Sequence, residues 1–549
     1  MPISRREFLK DLSSVAALAG LPTWATQLDE LPPAELFAPQ TCPWQWTPPA
    51  EIGAGNPVLT ALNRITFGPR PGDFERVQKI GVDAFVEEQL APEKIDDRAL
   101  DQRLAQNFPT LSQAAGALMR DYPQVPRKLP ENMSKAERLE QLIAGLGIKT
   151  ETSQGPTEVI AQLQDATMLR ALTSQRQLGE VMADFWSNHF TIFAAKNDCR
   201  WLKTVDDRDV IRKHALGKFG DLLLASAQSP AMLVYLDNQL NVKGVANENY
   251  AREIMELHTL GVDGGYTQKD VAELARAFTG WTVRGAQRNG TFGAMDYSNA
   301  GTFFFDASKH DTGAKRILGM DLLSTGGVNE ALKMVDTLAK HPSTARYISK
   351  KLVTRFVADN PPDALVQRAA LTFTQTNGDI RATLGVILHS DEFKNSFAQK
   401  IKRPFELIVS AARALDVQVD DPRVFSTTAR AMGQGLFLHT TPDGYPDTAT
   451  AWINTGALLA RWNYALLLAG NRVPRAKVDL AGMMKPAAPK TTGDALDFWI
   501  AAILHRTIPD ADRKKMLDAL GGNASANFDA ARLPALGALI LASPHFQYR

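Results

Sequence analysis

From Pro57 onward, apolar residues recur at the spacing of one helical face. "PVLTALNRITFG" carries such a run up to Gly68, and "DFERVQKIGVDAFVEEQL" sets Phe74, Val77, Ile80 and Phe85 near the same period. The pattern continues through "TEVIAQLQDATMLRALTSQRQLGEVMADFWSNHFTIF", which reads as one long helical run with "FWSNHF" near its C-terminal end. It resumes in "NEALKMVDTLAKH", "PSTARYISKKLVTRFVAD", "DALVQRAALTFTQT" and "DIRATLGVILHSDEF". One segment breaks it: "WTVRGAQRNGTFGAMDYSNAGTFFFDASKHDTGAKRILG" is glycine-rich, with short β-prone runs between turn dipeptides. The chain is therefore expected to be mainly α, a multi-helical bundle-like array with a small β-hairpin insertion near residues 283–319. "LGVILHSDEF" and "LGALILASPHF" each close a helical run with Ser, two residues and Phe, so two similar helical units and a chance echo are both open.

The pattern is different before Pro57. Residues 26–56 are proline-rich and aperiodic, which predicts an extended leader over the surface. Residues 1–25 hold "SRREFLK" followed by the weakly apolar "LSSVAALAGLPTWA", the order of a basic region, an apolar region and a small-residue cleavage site. That stretch resembles a twin-arginine export signal with Arg5 and Arg6 as the pair, so the expected location is the periplasm or the medium, with cleavage near Ala25. Export of an already folded chain raises the prior for a cofactor, a divalent metal in particular, without identifying one. Residues 57–549 form the helical domain, with candidate divisions at the proline-studded loop 121–134 and near 325–340.

At 549 residues the chain can bury a substantial core. Its 61 basic and 60 acidic residues nearly cancel, which disfavours nucleic acid as a partner. No apolar run beyond the N-terminus approaches the roughly 20 residues of a membrane span, so no stable span is expected after signal cleavage. Only Cys42 and Cys199 are present, too few for a disulfide framework, and either one bridge or two thiols fits. The HExxH, GxSxG, P-loop and CxxC patterns of common enzymes are missing.

Three clusters carry candidate chemistry. In "NENYAREIMELHTLGVDGGYTQKDVAELARAFTGW", Asn249, Glu253 and Glu256 fall within about 60° of one another on a helical wheel, with Arg252 at the edge. Paired carboxylates at that spacing can ligate a hard cation or divide acid and base roles, and Arg252 can clamp an anion. An ordinary Arg252–Glu256 ion pair explains the same residues without chemistry. His258 joins the carboxylates, as a metal ligand with Glu253 and Glu256, only if the helix unwinds before Gly261. Gly261 itself suits a helix stop, and Thr267 with Asp270 suits a capping box. In "FWSNHF", His189 is either a base or ligand assisted by Asn188 or a satisfied core histidine. In "KHDTGAK", His310, Asp311 and Lys315 are either part of a site or a surface turn.

These motifs, together with "LNRITFGPRPGD", "KIKRPFELIVSAARAL" and "GQGLFLHTTPDGYPDTATAWINTGALLARWNY", occur in an order that resembles the bacterial family called domain of unknown function 1800, from about Pro57 to Arg549. The resemblance implies an exported, mainly helical protein of unassigned activity. It also implies a sulfatase-like neighbour of the domain of unknown function 1501 family as a candidate partner. The family pattern falls on Asn188, His189, Asn249, Arg252, Glu253, Glu256, His258, Asp270, Trp281, His310, Asp311 and Lys315. His545 departs from it, at a position usually acidic. The expectation is a hydrolase-like enzyme in which Glu253, Glu256, His189, His310 and Asp311 do the chemistry while Asn188, Asn249, Arg252 and Lys315 bind substrate. The alternative is a non-catalytic partner or assembly factor, with the polar cluster fixing helix packing.

Overall fold

The computed structural model describes residues 56–124, 155–285, 287–288, 295–322 and 325–549. The signal, the leader up to residue 55, Cys42 and most of the 121–134 loop lie outside the described residues. Twenty-five α-helices and four two-stranded antiparallel pairs make up the rest, so the chain is mainly α with small hairpins. None of the described helices is long and apolar enough to cross a membrane.

Local chemistry sets the helix limits. Asn56 caps Pro57–Ile65 by accepting from the Val58 N–H at 2.9 Å, with Pro57 in the first turn where its missing N–H costs nothing. The run read as one long helix is two, Pro156–Thr173 and Gln177–His189. Side chains break it: the Ser174 hydroxyl donates to Asp97 at 2.5 Å, and the Gln177 amide donates to the Ala171 and Ser174 carbonyls at 3.1 and 2.9 Å. Those bonds offer the backbone an alternative to the helical ladder, and the chain turns there.

The β excursion spans Trp281 to Leu322, slightly wider than expected. Trp281–Val283 pairs with Phe303–Phe305, Gln287–Arg288 with Met295–Asp296, and Lys315–Ile317 with Met320–Leu322. Trp281 anchors it, fully buried and edge-on to Phe278 at 5.2 Å and Phe303 at 5.1 Å. A further pair, Gln418–Val419 with Ala476–Lys477, has two residues per strand, too few to leave an alternation in the sequence. Ser390 and Ser543 each start a short helix from nearly the same backbone conformation, so the echoed sequences share a local turn. One large apolar cluster runs through the body, with Trp186, Phe190, Phe219, Phe278 and Phe356 among its largest members. The Pro342–Phe356 helix packs on Asp363–Gln375, and residues along it from Ser343 to Arg355 form a wall of the cavity described next.

Candidate functional site

The last turn of the Gln177–His189 helix brings Phe185, Asn188 and His189 to one face, at the i, i+3, i+4 spacing. Across from it, Tyr347, Lys351 and Arg355 recur every four residues along the Pro342–Phe356 helix. The turn Leu260–Asp263 and the loop 443–448 close the other sides of a cavity of about 640 Å³. The turn exists because the Asn249–Glu256 helix ends in wide bonds: the His258 N–H reaches the Glu253 carbonyl at 3.0 Å and the Leu260 N–H reaches Met255 at 2.7 Å. Gly261 follows at φ +79°, and a Cβ there would stand 3.0 Å from the Tyr347 ring. The loop is fastened by Asn188, whose amide donates to the Tyr445 carbonyl and accepts from the Tyr445 N–H, both at 2.8 Å. Gly444 makes this approach feasible, since a Cβ on it would lie 2.3 Å from the Asn188 carbonyl oxygen.

A lysine and a histidine meet at the centre. Nε2 of His189 lies 3.1 Å from the His258 carbonyl, which can only accept, so that nitrogen carries the proton. Nδ1 is then a lone pair, and Nζ of Lys351 donates to it at 2.9 Å. Burial, then the Lys351 charge, holds His189 well below the usual histidine range, so the ring stays neutral. Lys351 keeps partial exposure to the cavity yet is ringed by protein, and this desolvation lowers it to about 8 against the weaker pull of Asp447 and Asp443. His258 stands beside this pair with its ring 5.0 Å from Phe190, and burial, then Lys351, lowers it to about 3.

The floor is ionic. Arg355 pairs with Glu406 at the start of the Pro404–Ala414 helix, Arg403 reaches Asp184 at 2.5 Å and Glu406 at 3.2 Å, and Arg549 reaches Glu406 at 2.8 Å. Burial would raise Glu406, but Arg355, Arg549 and Arg403 outweigh it and hold the carboxylate well below its usual range. Asp447 lies 3.7 and 3.8 Å from Arg355 and Arg403. Nε and Nη2 of Arg355, Nε of Arg403 and Oδ1 of Asp447 make no hydrogen bond to any described residue. Five cationic side chains and three carboxylates line the cavity, and three of the cations, Arg346, Arg355 and Arg403, are paired with Asp363, Glu406 and Asp184 outside the lining.

The model of the family described as protein of unknown function (DUF1800) matches residues 60–548. The chain belongs to that family. No curated protein and no solved structure matches it.

Of the residues expected in the site of this DUF1800 chain, Asn188 and His189 line the cavity, and His258 supports it from behind through its carbonyl. Glu253 and Glu256 occupy one face of their helix, partly exposed and outside the lining, where Glu256 accepts from the Tyr266 hydroxyl at 3.3 Å. Burial and the neighbouring Glu256 push Glu253 up. Among the described residues no group of three His, Cys, Asp or Glu side chains is placed to hold a metal ion, and this applies to Glu253, Glu256 and His258. The physical reason is the wide turn after Glu256, which buries the His258 ring among Phe190, Tyr250 and His189. Arg252 pairs with Glu248 at 3.1 Å and Gln268 at 3.0 Å, not with Glu256, and Asn249 is exposed at the helix start.

His310, Asp311 and Lys315 form a separate lock outside the lining. Lys315 meets Glu330 at 2.7 Å, His310 lies 3.5 Å from the same carboxylate, and Arg276 grips Asp311 with bonds of 2.9 and 3.0 Å. These contacts tie the hairpin to the Gln268–Ala277 and Val328–Lys340 helices. The Thr267–Asp270 capping box is present, and Asp270 also accepts from the Leu318 N–H at 2.7 Å. His545 bridges Asp512 at 3.1 Å and Arg506 at 3.0 Å, and Cys199 is buried, its thiol pushed up to about 12. Lys351, Arg355, Arg403 and Asp447 were not foreseen. Their signal lay in the four-residue recurrence of Tyr347, Lys351 and Arg355, and in the clustered charge of "KIKRPFE" and "DGYPD".

Proposed function

We propose that this DUF1800 protein is an exported enzyme that moves protons on a small anionic substrate, with Lys351 and His189 as the working pair. The observation that supports it most is the Lys351–His189 contact in a cavity also lined by the exposed Arg346 and Lys350. Lys351 and its exposed neighbour Lys350 suit the anionic group. An amine with pKa near the ambient pH exchanges protons efficiently in either direction. Export rests on the twin-arginine pattern at Arg5 and Arg6.

Calorimetric titration with inorganic phosphate and sulfate tests the anion. The wild-type protein is expected to bind at least one of them, and Lys351→Met to bind roughly tenfold more weakly, the loss of one charge-assisted hydrogen bond of about 1.5 kcal/mol. Absence of binding, or equal binding by the variant, would contradict the reading.

One observation favours the alternative, a non-catalytic partner of the sulfatase-like neighbour. The Thr455–Ala469 helix exposes Leu459, Trp462 and Leu466 at 56%, 48% and 53%, an apolar stripe of the kind that protein contacts cover. A complex with that neighbour that survives Lys351→Met and fails when the stripe is made polar would favour it.

A further inference from the structure

The lysines of this chain divide by what they touch. Lys203 lies 2.6 Å from Asp206, Lys315 2.7 Å from Glu330 and Lys400 2.5 Å from Asp359, each a buried cation held by a carboxylate. Two lysines depart from that rule: Lys402, buried over the Phe546 ring at 3.5 Å and outside the cavity lining, and Lys351, which lines the cavity. The hydrogen bond of Lys351 goes to a neutral imidazole, and Asp447 and Asp443 act on that lysine only at longer range. A partly desolvated ammonium without a carboxylate mate costs stability, and at Lys351 that amine opens onto the cavity.

We infer that Lys351 is a carbonyl-reactive amine, which condenses with a small substrate carrying a carbonyl next to an anionic group, a 2-oxo acid being the simplest case. This rests on the anion-site reading and adds a covalent step to it. Three features of the cavity support the step. His189 fixes the amine: because Nε2–H is committed to the His258 carbonyl, Nδ1 holds one N–H of Lys351 and leaves the nitrogen lone pair free for the cavity once the amine is neutral. Apolar walls from Phe185, Leu260 and Tyr347, with Arg355 one helical turn away, favour that neutral form, and the lowered pKa of about 8 agrees. Arg346 and Lys350, exposed on the same helix at the cavity wall, supply the charge for the substrate's carboxylate while its carbonyl carbon faces Nζ.

The step balances without an oxidant or reductant. The nitrogen lone pair attacks the carbonyl carbon, the C=O π electrons pass to oxygen, and one of the two protons on the now cationic nitrogen moves to that oxygen, giving the carbinolamine. The carbinolamine then loses water as nitrogen gives up its proton, leaving an imine.

The test incubates the full chain with pyruvate, reduces with sodium borohydride and maps the peptides by mass. The reduced adduct is expected on Lys351 in excess over the exposed neighbour Lys350 by roughly tenfold or more, as a desolvated amine requires. Inorganic phosphate is expected to suppress it, and Lys351→Arg, which keeps the charge, to abolish it. Equal labelling of Lys350 and Lys351 with phosphate binding intact would overturn the imine and leave the anion site standing. Labelling of Lys351 that phosphate does not suppress would overturn the anion site and with it the substrate class.

Discussion

In water a lysine ammonium keeps its proton to about pH 10.4, and the cavity brings Lys351 down to about 8. The sign of the consequence follows from linkage. Between those values the unfolded chain binds a proton that the folded chain does not, so stability rises with pH through that window and falls as pH drops through 8. From pH 7 to 9.5 the gain from this one group is on the order of 2 kcal/mol. The groups that face it, His189, His258, Asp443 and Asp447, do not change charge in that window. Chemical denaturation is expected to show a smaller rise in Lys351→Met than in the wild type, by about this amount, with the share of the buried Lys402 retained. An unchanged slope in the variant would place the titration elsewhere. The same residue shows what sequence patterns leave out. In "RYISKKLVTRF" it reads as an ordinary basic face, because nothing in spacing reveals that His189, 162 positions away, supplies a lone pair instead of a carboxylate.

At the scale of elements, short-range chemistry was legible and long-range closure was not. The Thr267–Asp270 box and the common face of Glu253 and Glu256 are set by residues within one turn, and the structure has both, whereas the helix expected to stop at Gly261 ends at Glu256 and Gly261 takes its positive φ in the turn beyond. The fate of that face was not legible, since it depends on where Tyr266 and the rest of the chain arrive. The contacts of the His310 motif were not legible for a similar reason: its carboxylate mate, Glu330, comes from a helix with no chemical signature of its own. The loop 443–448 is held by side chains and not by a ladder, and Asn188 supplies two of its bonds. Asn188→Ala is therefore expected to cost about 2 kcal/mol of local stability and to speed amide exchange at Tyr445, while exchange in the Pro342–Phe356 helix is unchanged. Unchanged protection at Tyr445 would show that the loop is held by something else.

For the molecule as a whole, helical class followed from periodicity, and the family match over residues 60–548 agrees with the motifs in order. The cavity is a property of assembly. It takes one helix end, one helix face, one turn, one loop and a floor of arginines, drawn from positions between 185 and 448, and the expected gathering of acids and histidines divides into this site and a distant lock. A cavity around an amine held by a neutral imidazole and not by a carboxylate is the feature on which the functional reading depends. Its sharpest test is the pH profile of trace acetylation at Lys351, read by mass with and without inorganic phosphate. The expected result is a midpoint near 8 that phosphate moves upward, because a bound anion stabilises the ammonium. A midpoint at the ordinary lysine value, the same with and without phosphate, would contradict it.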